Sequence, residues 1–233
     1  MKGRKYDTVI FDLDGTLLNT LEDLKNSTCY ALKKHNMPER SLEEVRMFVG
    51  NGVRKLMERA VEAGTNEEKF EQIFKDFKEH YLIHCNDNTK PYDNIMELLD
   101  RLKKEGYKLA IVSNKYQKAT AELAQMYFKE YISVAIGESE KIRKKPAPDT
   151  VIEAMKRLDS PVERCVYVGD SDVDINTAYN SHIPCISCEW GFRDRDFLKK
   201  NNANTIITNP LQIIDLLDSG TEIPLIKKAK EAS

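Results

Sequence analysis

The segment Val9-Ile10-Phe11-Asp12-Leu13-Asp14-Gly15-Thr16 constrains this chain more than any other. An apolar run breaks abruptly into two carboxylates that flank one leucine, and a glycine follows. Short continuous apolar runs mark buried parallel strands, so residues 8–11 are predicted to form one. Asp12 and Asp14 then stand at its carboxyl end, where open α/β sheets bind ligands. At a period of two, both project to the same side. Like charges held that close repel unless a cation or a proton lies between them. The plain structural alternative is a turn in which Asp caps the next helix. A turn needs only one Asp, so a metal-assisted carboxylate site is the stronger reading.

The 233 residues, 41% of them hydrophobic, suffice for one large core or a core domain with an insertion. A formal net charge of −2 spread over many charges of both signs offers no nucleic-acid-binding field. No apolar stretch approaches the roughly 20 residues that span a bilayer. Asp7, Asp12 and Asp14 interrupt anything resembling a signal-peptide core. Five cysteines, an odd number, do not suggest a disulfide framework. The expectation is a cytoplasmic protein with no membrane or nucleic-acid partner, a monomer or weak homodimer.

After Thr16 the pattern turns helical for some seventy residues. Leu21, Leu24, Thr28, Ala31 and Leu32 keep helix spacing, with Thr20 as the expected N-cap. Ser41-Leu42-Glu43-Glu44 reads as a capping box. Val53, Leu56, Met57 and Ala60 mark a third helix, and Phe70, Ile73, Phe74, Phe77 and Tyr81 a fourth. The polar stretch 86–91 closes this block as a linker. Strands and helices then alternate, the signature of a parallel sheet. Strands are predicted at 108–112, 132–136, 165–168, 183–186 and 205–207. Helices follow Ile95, Ala119, Asp149 and Asp172. The domains expected are an α/β core at 1–16 and 90–220, an all-helical insertion at 17–89, and a polar tail at 221–233 that frays.

Further strand ends carry residues suited to one site. The strand at Ala110-Ile111-Val112 runs into Ser113-Asn114-Lys115, a hydroxyl, an amide and an ammonium. A basic cluster, Lys141 to Lys145, precedes Pro146 and Pro148, which fix its backbone. Val166-Tyr167-Val168 runs into Gly169-Asp170, with Asp174 one helical turn on. Carboxylates at two strand ends, a hydroxyl at a third and a lysine at a fourth define a phosphoryl-transfer site. Mg²⁺ takes hard oxygen ligands and keeps phosphate oxygens in its shell, and Ser and Lys meet the phosphoryl oxygens that a metal does not reach. Singly, Ser113-Asn114 is a common turn and a basic run a solvated face. Asp170 to Asp174 also mimics a calcium loop, but Ile175 and Ser181 occupy the places that need Gly and Glu.

In this order the chain resembles the haloacid dehalogenase superfamily of phosphotransferases. Asp12-Leu13-Asp14-Gly15-Thr16 matches its first motif, Ser113 the second, Lys145 the third, and Gly169-Asp170 with Asp174 the fourth. The insertion after the first motif is similar to the helical cap that many members carry. Val49-Gly50-Asn51-Gly52-Val53, Ser113-Asn114-Lys115 and Trp190-Gly191-Phe192-Arg193 resemble phosphoglycolate phosphatases. Departures are Lys144, where the family usually has Gly, and Ser181 and His182, where it has Ala and Gly. The first leaves open whether Lys144 or Lys145 faces the phosphate; the second predicts a local backbone adjustment.

The resemblance implies an α/β fold with a Rossmann-like parallel sheet and a Mg²⁺-dependent phosphatase of small phosphomonoesters, 2-phosphoglycolate foremost. It implies Asp12 as nucleophile and Asp14 as general acid/base. Mg²⁺ would be held by Asp12, the Asp14 backbone carbonyl and Asp170, with Asp174 orienting Lys145 or a metal-bound water. Thr16, Ser113, Asn114 and Lys145 would bind phosphate or nucleophile. Gly50, Asn51, Gly52, Arg54 and Lys55 of the insertion are substrate-specificity candidates, against the alternative of a solvated helix face. Other readings are a pyrophosphatase, a sugar-phosphate phosphatase or phosphomutase, and a non-enzymatic phospho-acceptor switch. Cys185-Ile186-Ser187-Cys188 after His182 reads as a buried strand before it reads as a metal site. His80 and His84 read as helix surface.

Overall fold

The computed structural model describes residues 4–226. The chain divides into two compact units, one running through Leu17 and resuming at Pro91, the other spanning Leu18–Lys90. The first begins with β1 (Thr8–Phe11), all four residues buried. After β2 (Leu18–Asn19), the second unit holds α1 (Leu21–Lys34), α2 (Leu42–Phe48), α3 (Val53–Ala60) and α4 (Glu67–His84). The chain returns through β3 (Lys90–Pro91), which pairs with β2 as a two-stranded ribbon.

The helical unit is built as its periodicity dictates. Leu24, Leu32, Leu56, Ile73, Phe74 and Phe77 interlock in one apolar cluster. Ser41 and Glu44 form a reciprocal capping box at the start of α2. Thr20 precedes α1 but makes no capping bond. Its backbone, at φ −106 and ψ 4, departs from the extended geometry that aims an N-cap side chain at the first free amides.

The α/β unit continues with α5 (Ile95–Lys104), β4 (Lys108–Tyr116), α6 (Gln117–Phe128), β5 (Val134–Glu138) and α7 (Asp149–Arg157). Then come β6 (Cys165–Gly169), α8 (Asp172–Asn180), β7 (Cys185–Cys188), α9 (Arg195–Lys200), β8 (Thr205–Ile207) and α10 (Gln212–Asp218). The six strands stand in the order β5-β4-β1-β6-β7-β8, and every neighbouring pair is parallel. From β1 the chain goes outward to β4 and β5 on one side, then crosses to β6 and proceeds outward on the other. The reversal places a topological switch point beside β1, where open parallel sheets gather their ligands.

Further local features depart from expectation, and β5 and β7 each begin and end two residues later than the predicted 132–136 and 183–186. β4 runs on to Tyr116, with Ser113, Asn114 and Lys115 all buried. Polarity suggested a loop there, but these side chains face a polar interior. The short helix α9 escaped the periodicity because it carries too few apolar residues for a stripe, and α10 because its seven residues fall short of the window over which a stripe is read. Of the expected polar tail, Ile223 and Ile226 are buried, and the Ile223 amide donates to the Tyr6 hydroxyl at 3.1 Å; its remainder, 227–233, lies outside the described residues. After α8, His182 takes a left-handed φ of 57°, the adjustment expected where a glycine is usual.

Candidate active site

Sheet register assembles the site. Phe11, the last residue of β1, pairs with Ile111 on one side and Val168 on the other. One step onward the Asp12 amide donates to the Val168 carbonyl at 2.9 Å. Asp12 and the residues ending β4 and β6 therefore share one edge of the sheet. Asp12, Asp170 and Asp174, all buried, each offer an oxygen within 4.8 Å of the others. Lys145, 4% exposed, lies between them. Its Nζ donates to Asp12 Oδ1 at 2.7 Å, Asp174 Oδ1 at 2.8 Å and the Tyr167 hydroxyl at 3.0 Å. Lys144 instead pairs at 3.6 Å with Glu138 and is half-exposed, so Lys145 is the lysine brought to the carboxylates.

Asp174 is fully engaged. Besides Lys145, its Oδ1 accepts from the Tyr167 hydroxyl at 2.9 Å. Its Oδ2 accepts from the backbone amides of Asp170 and Ser171 and from the Ser171 hydroxyl at 2.6 Å. A carboxylate with both oxygens so committed acts as a bracket for its neighbours. Asp12 and Asp170 are the better cation ligands.

The electrostatics are those of a carboxylate cluster short of positive charge. Burial, then repulsion from Asp174, pushes Asp12 well above the usual carboxylate range. Burial and Asp174 likewise raise Asp170 to about 7, although the Phe192 amide, Arg193 and Lys145 oppose the rise. Burial works against the Lys145 ammonium, yet Asp12 and Asp174 outweigh it and hold its affinity for a proton above normal. Three carboxylates crowded within reach of one another repel despite Lys145 and Arg193 nearby; a hard divalent cation would relieve that repulsion, and the all-oxygen donors suit Mg²⁺.

Other predicted residues sit as follows. Thr16, fully buried, donates to Asp170 Oδ1 at 3.4 Å rather than to Asp12. The Ser113 hydroxyl accepts from the Lys115 amide at 3.2 Å. The Asn114 side-chain amide donates to the Lys145 carbonyl at 3.0 Å, tying the loop that carries Lys145 to the end of β4. In the helical unit, Gly50, Asn51 and Gly52 form the turn between α2 and α3, and Asn51 accepts from Arg59. Arg54 pairs with Glu58, Glu67 and Glu71 and lies over the rings of Phe70 and Phe74. Lys55 pairs with Glu58 at 2.7 Å.

Sequence reading did not place the segment after β7 in the site. The Phe192 amide donates to Asp170 Oδ2 at 2.6 Å, and Trp190 Nε1 donates to the Thr16 carbonyl at 3.0 Å. A Cβ on Gly191 would collide with the Gly15 carbonyl and the Asp170 side chain, and one on Gly15 would meet Asp170 Oδ2. Trp190 to Arg193 thus form a strap over Asp170. The signal available was the Trp-Gly-Phe-Arg string itself. The five cysteines are free. Cys185 and Cys188 lie in buried β7, where burial pushes the Cys185 thiol up to about 12, a packing role and not a reactive one.

A parallel sheet carrying this cluster at its switch point defines a class of hydrolase, and comparison with known proteins agrees. The haloacid dehalogenase-like hydrolase family matches residues 9–188. A phosphoglycolate phosphatase of Mesorhizobium japonicum is 31% identical over 191 residues, 80% of this chain and 84% of the relative. A putative pyrophosphatase PpaX of Caldanaerobacter subterraneus is 28% identical over 91% of this chain and 95% of the relative. The crystal structure of a putative phosphoglycolate phosphatase from Lactobacillus delbrueckii superposes with a TM-score of 0.87 at 33% identity, covering 91% of this chain and 98% of that one. The chain belongs to the haloacid dehalogenase-like hydrolases. It is an enzyme similar to phosphoglycolate phosphatases.

Proposed function

We propose that this hydrolase cleaves small phosphomonoesters with Mg²⁺ as cofactor, and that 2-phosphoglycolate is its foremost substrate. The observation that carries the reading is the Asp12–Lys145–Asp174 network beside Asp170, at 2.7 and 2.8 Å from the lysine. A buried nucleophile must remain ionised to attack phosphorus. Lys145 holds charge against Asp12, while Asp174 and Tyr167 hold Lys145.

In the first step an Asp12 oxygen bonds to phosphorus, the bond from phosphorus to the ester oxygen breaks, and Asp14 gives its proton to the departing alcohol. In the second, water attacks the aspartyl-phosphate, Asp14 takes the water proton, and phosphate leaves with Asp12 regenerated. Mg²⁺, held by Asp12, Asp170 and the Asp14 carbonyl, would neutralise the phosphoryl oxygens when bound. Lys145 and the end of β4 at Ser113 and Asn114 supply the remaining positive and hydrogen-bonding partners. The strap keeps Asp170 oriented through its amide contact. Residues 50–55 of the helical unit are the first to test for substrate choice.

Phosphate release from 2-phosphoglycolate, pyrophosphate, sugar phosphates and p-nitrophenyl phosphate, with and without Mg²⁺, tests the assignment. Sustained turnover that disappears with EDTA and favours 2-phosphoglycolate is expected. A single stoichiometric phosphorylation without turnover would mark a phospho-acceptor switch, and a preference for pyrophosphate would move the protein to that branch.

A further inference from the structure

Lys115 has no part in the two steps above, yet its ammonium is among the most deeply buried in the molecule. Its side chain is 2% exposed, and Nζ donates to Asp14 Oδ1 at 3.1 Å, the carboxylate itself being 17% exposed. A buried ammonium is costly without a partner. The root of this side chain is fixed on both sides. The Lys115 amide donates to the Ser113 hydroxyl at 3.2 Å, and its carbonyl accepts from the Thr120 hydroxyl at 3.2 Å. Gly137 approaches the same carbonyl so closely that a Cβ there would collide with it. A flexible stem with three donors is thereby turned into a fixed post whose tip meets Asp14.

We propose that Lys115 is a positioning residue: it holds the Asp14 carboxylate in the orientation from which both proton transfers occur. The inference rests on the reading of Asp14 as general acid/base and adds the group that aims it. The covalent chemistry is unchanged. In the second step the water oxygen bonds to phosphorus, the bond from phosphorus to Asp12 breaks, and the water proton passes to Asp14. Lys115 gives up no proton and makes no bond to substrate. A short Asp side chain has few rotamers, and a misaimed proton acceptor loses much of the roughly 10²–10⁴-fold that positioned acid–base catalysis contributes.

The test uses p-nitrophenyl phosphate, whose leaving group departs without a proton, so that the first step survives loss of Asp14 and the second does not. Rapid mixing of Lys115→Met with this ester and Mg²⁺ is expected to give a burst of nitrophenolate stoichiometric with enzyme. A steady state slower by roughly 10²-fold should follow, with KM falling in step so that kcat/KM changes little. Lys115→Arg, which keeps charge and donors, should recover at least about tenfold of that loss. Asp14→Asn serves as the reference and should burst in the same way, and Lys115→Met should add little to it.

If Asp14→Asn bursts while Lys115→Met turns over within about twofold of the parent, the positioning role is wrong and the Asp14 assignment stands. If Asp14→Asn turns over normally, both fall together. A rise in KM confined to 2-phosphoglycolate, with kcat unchanged and no burst, would assign Lys115 to the substrate instead and overturn the proposal. Should Lys115→Met fail to fold by circular dichroism, Lys115→Gln and the Arg variant carry the same measurement. Equal bursts from the Arg and Gln variants would also count against a charge-held Asp14.

Discussion

The two units handle charge in opposite ways. In the α/β unit Asp12, Lys115, Lys145, Asp170, Asp174 and Arg193 are buried. Among the described residues of the helical unit, the buried charged side chain is Asp23. Asp23 is satisfied by hydrogen bonds alone: it accepts from the amides of Asn88 and Thr89, the Asn88 side chain and the Thr89 hydroxyl, at 2.8–3.1 Å. It fastens the end of the unit to its first helix. Asp12 and Asp170 have no such complement of amides, and burial, then repulsion from Asp174, raises their proton affinities. Burial alone does not mark a catalytic carboxylate. Burial with repulsion left unresolved does.

Four experiments break or sharpen that contrast. The largest effect is expected from Asp12→Asn, which removes the proposed nucleophile and one of the repelling charges. Turnover should fall at least about 10⁴-fold while the melting temperature holds or rises. Retained activity in a steady-state assay would end the mechanism. Next, Lys145→Met leaves Asp12 and Asp174 buried without their cation. It should cost about 3–5 kcal/mol in chemical denaturation and roughly 10³-fold in kcat. An inert substitution would mean the network is ornamental.

A third effect is pH-dependent and belongs to the metal-free protein. The folded protein holds the Asp170 proton up to about 7, whereas an unfolded Asp releases its own near 3.9. Stability from this group is therefore fully present below about pH 4 and is lost as pH rises through 7. Thermal melts in EDTA should fall between pH 5 and pH 8, by no more than about 4 kcal/mol. Excess Mg²⁺ at pH 8 should restore the loss by binding the folded state. A flat profile in EDTA would remove the charge argument for the site. The smallest effect is expected in the helical unit. Arg54 is already engaged by three glutamates and two rings, so Arg54→Met should cost about 1 kcal/mol or less and leave kcat/KM within about twofold. A tenfold rise in KM for 2-phosphoglycolate would instead make Arg54 the reader of the substrate.

The same contrast explains what was legible in the chain. β1, α8 and β8 fell where the sequence reading placed them, because buried strands and capped helices are written in local pattern. The capping box at Ser41 was readable for the same reason. The convergence of Asp12, Lys145, Asp170 and Asp174 was anticipated from strand ends and their order. What local pattern does not encode is contact between distant loops. The choice of Lys145 over Lys144 depends on the fold beyond β5. The hold of Phe192 on Asp170 depends on the path after β7. The extension of β4 through Lys115 depends on what lies opposite polar residues. Thr20 failed as a cap because its backbone leaves the extended geometry that a capping side chain needs.

The crowding of Gly15, Gly191 and Asp170 has a practical corollary for anyone wishing to redirect this enzyme. A library that varies Gly191 would yield mostly dead clones, since any Cβ there runs into the Gly15 carbonyl and the Asp170 carboxylate. Diversity is better spent on residues 50–55, the turn after α2 and the first residues of α3, which are proposed above to choose the substrate.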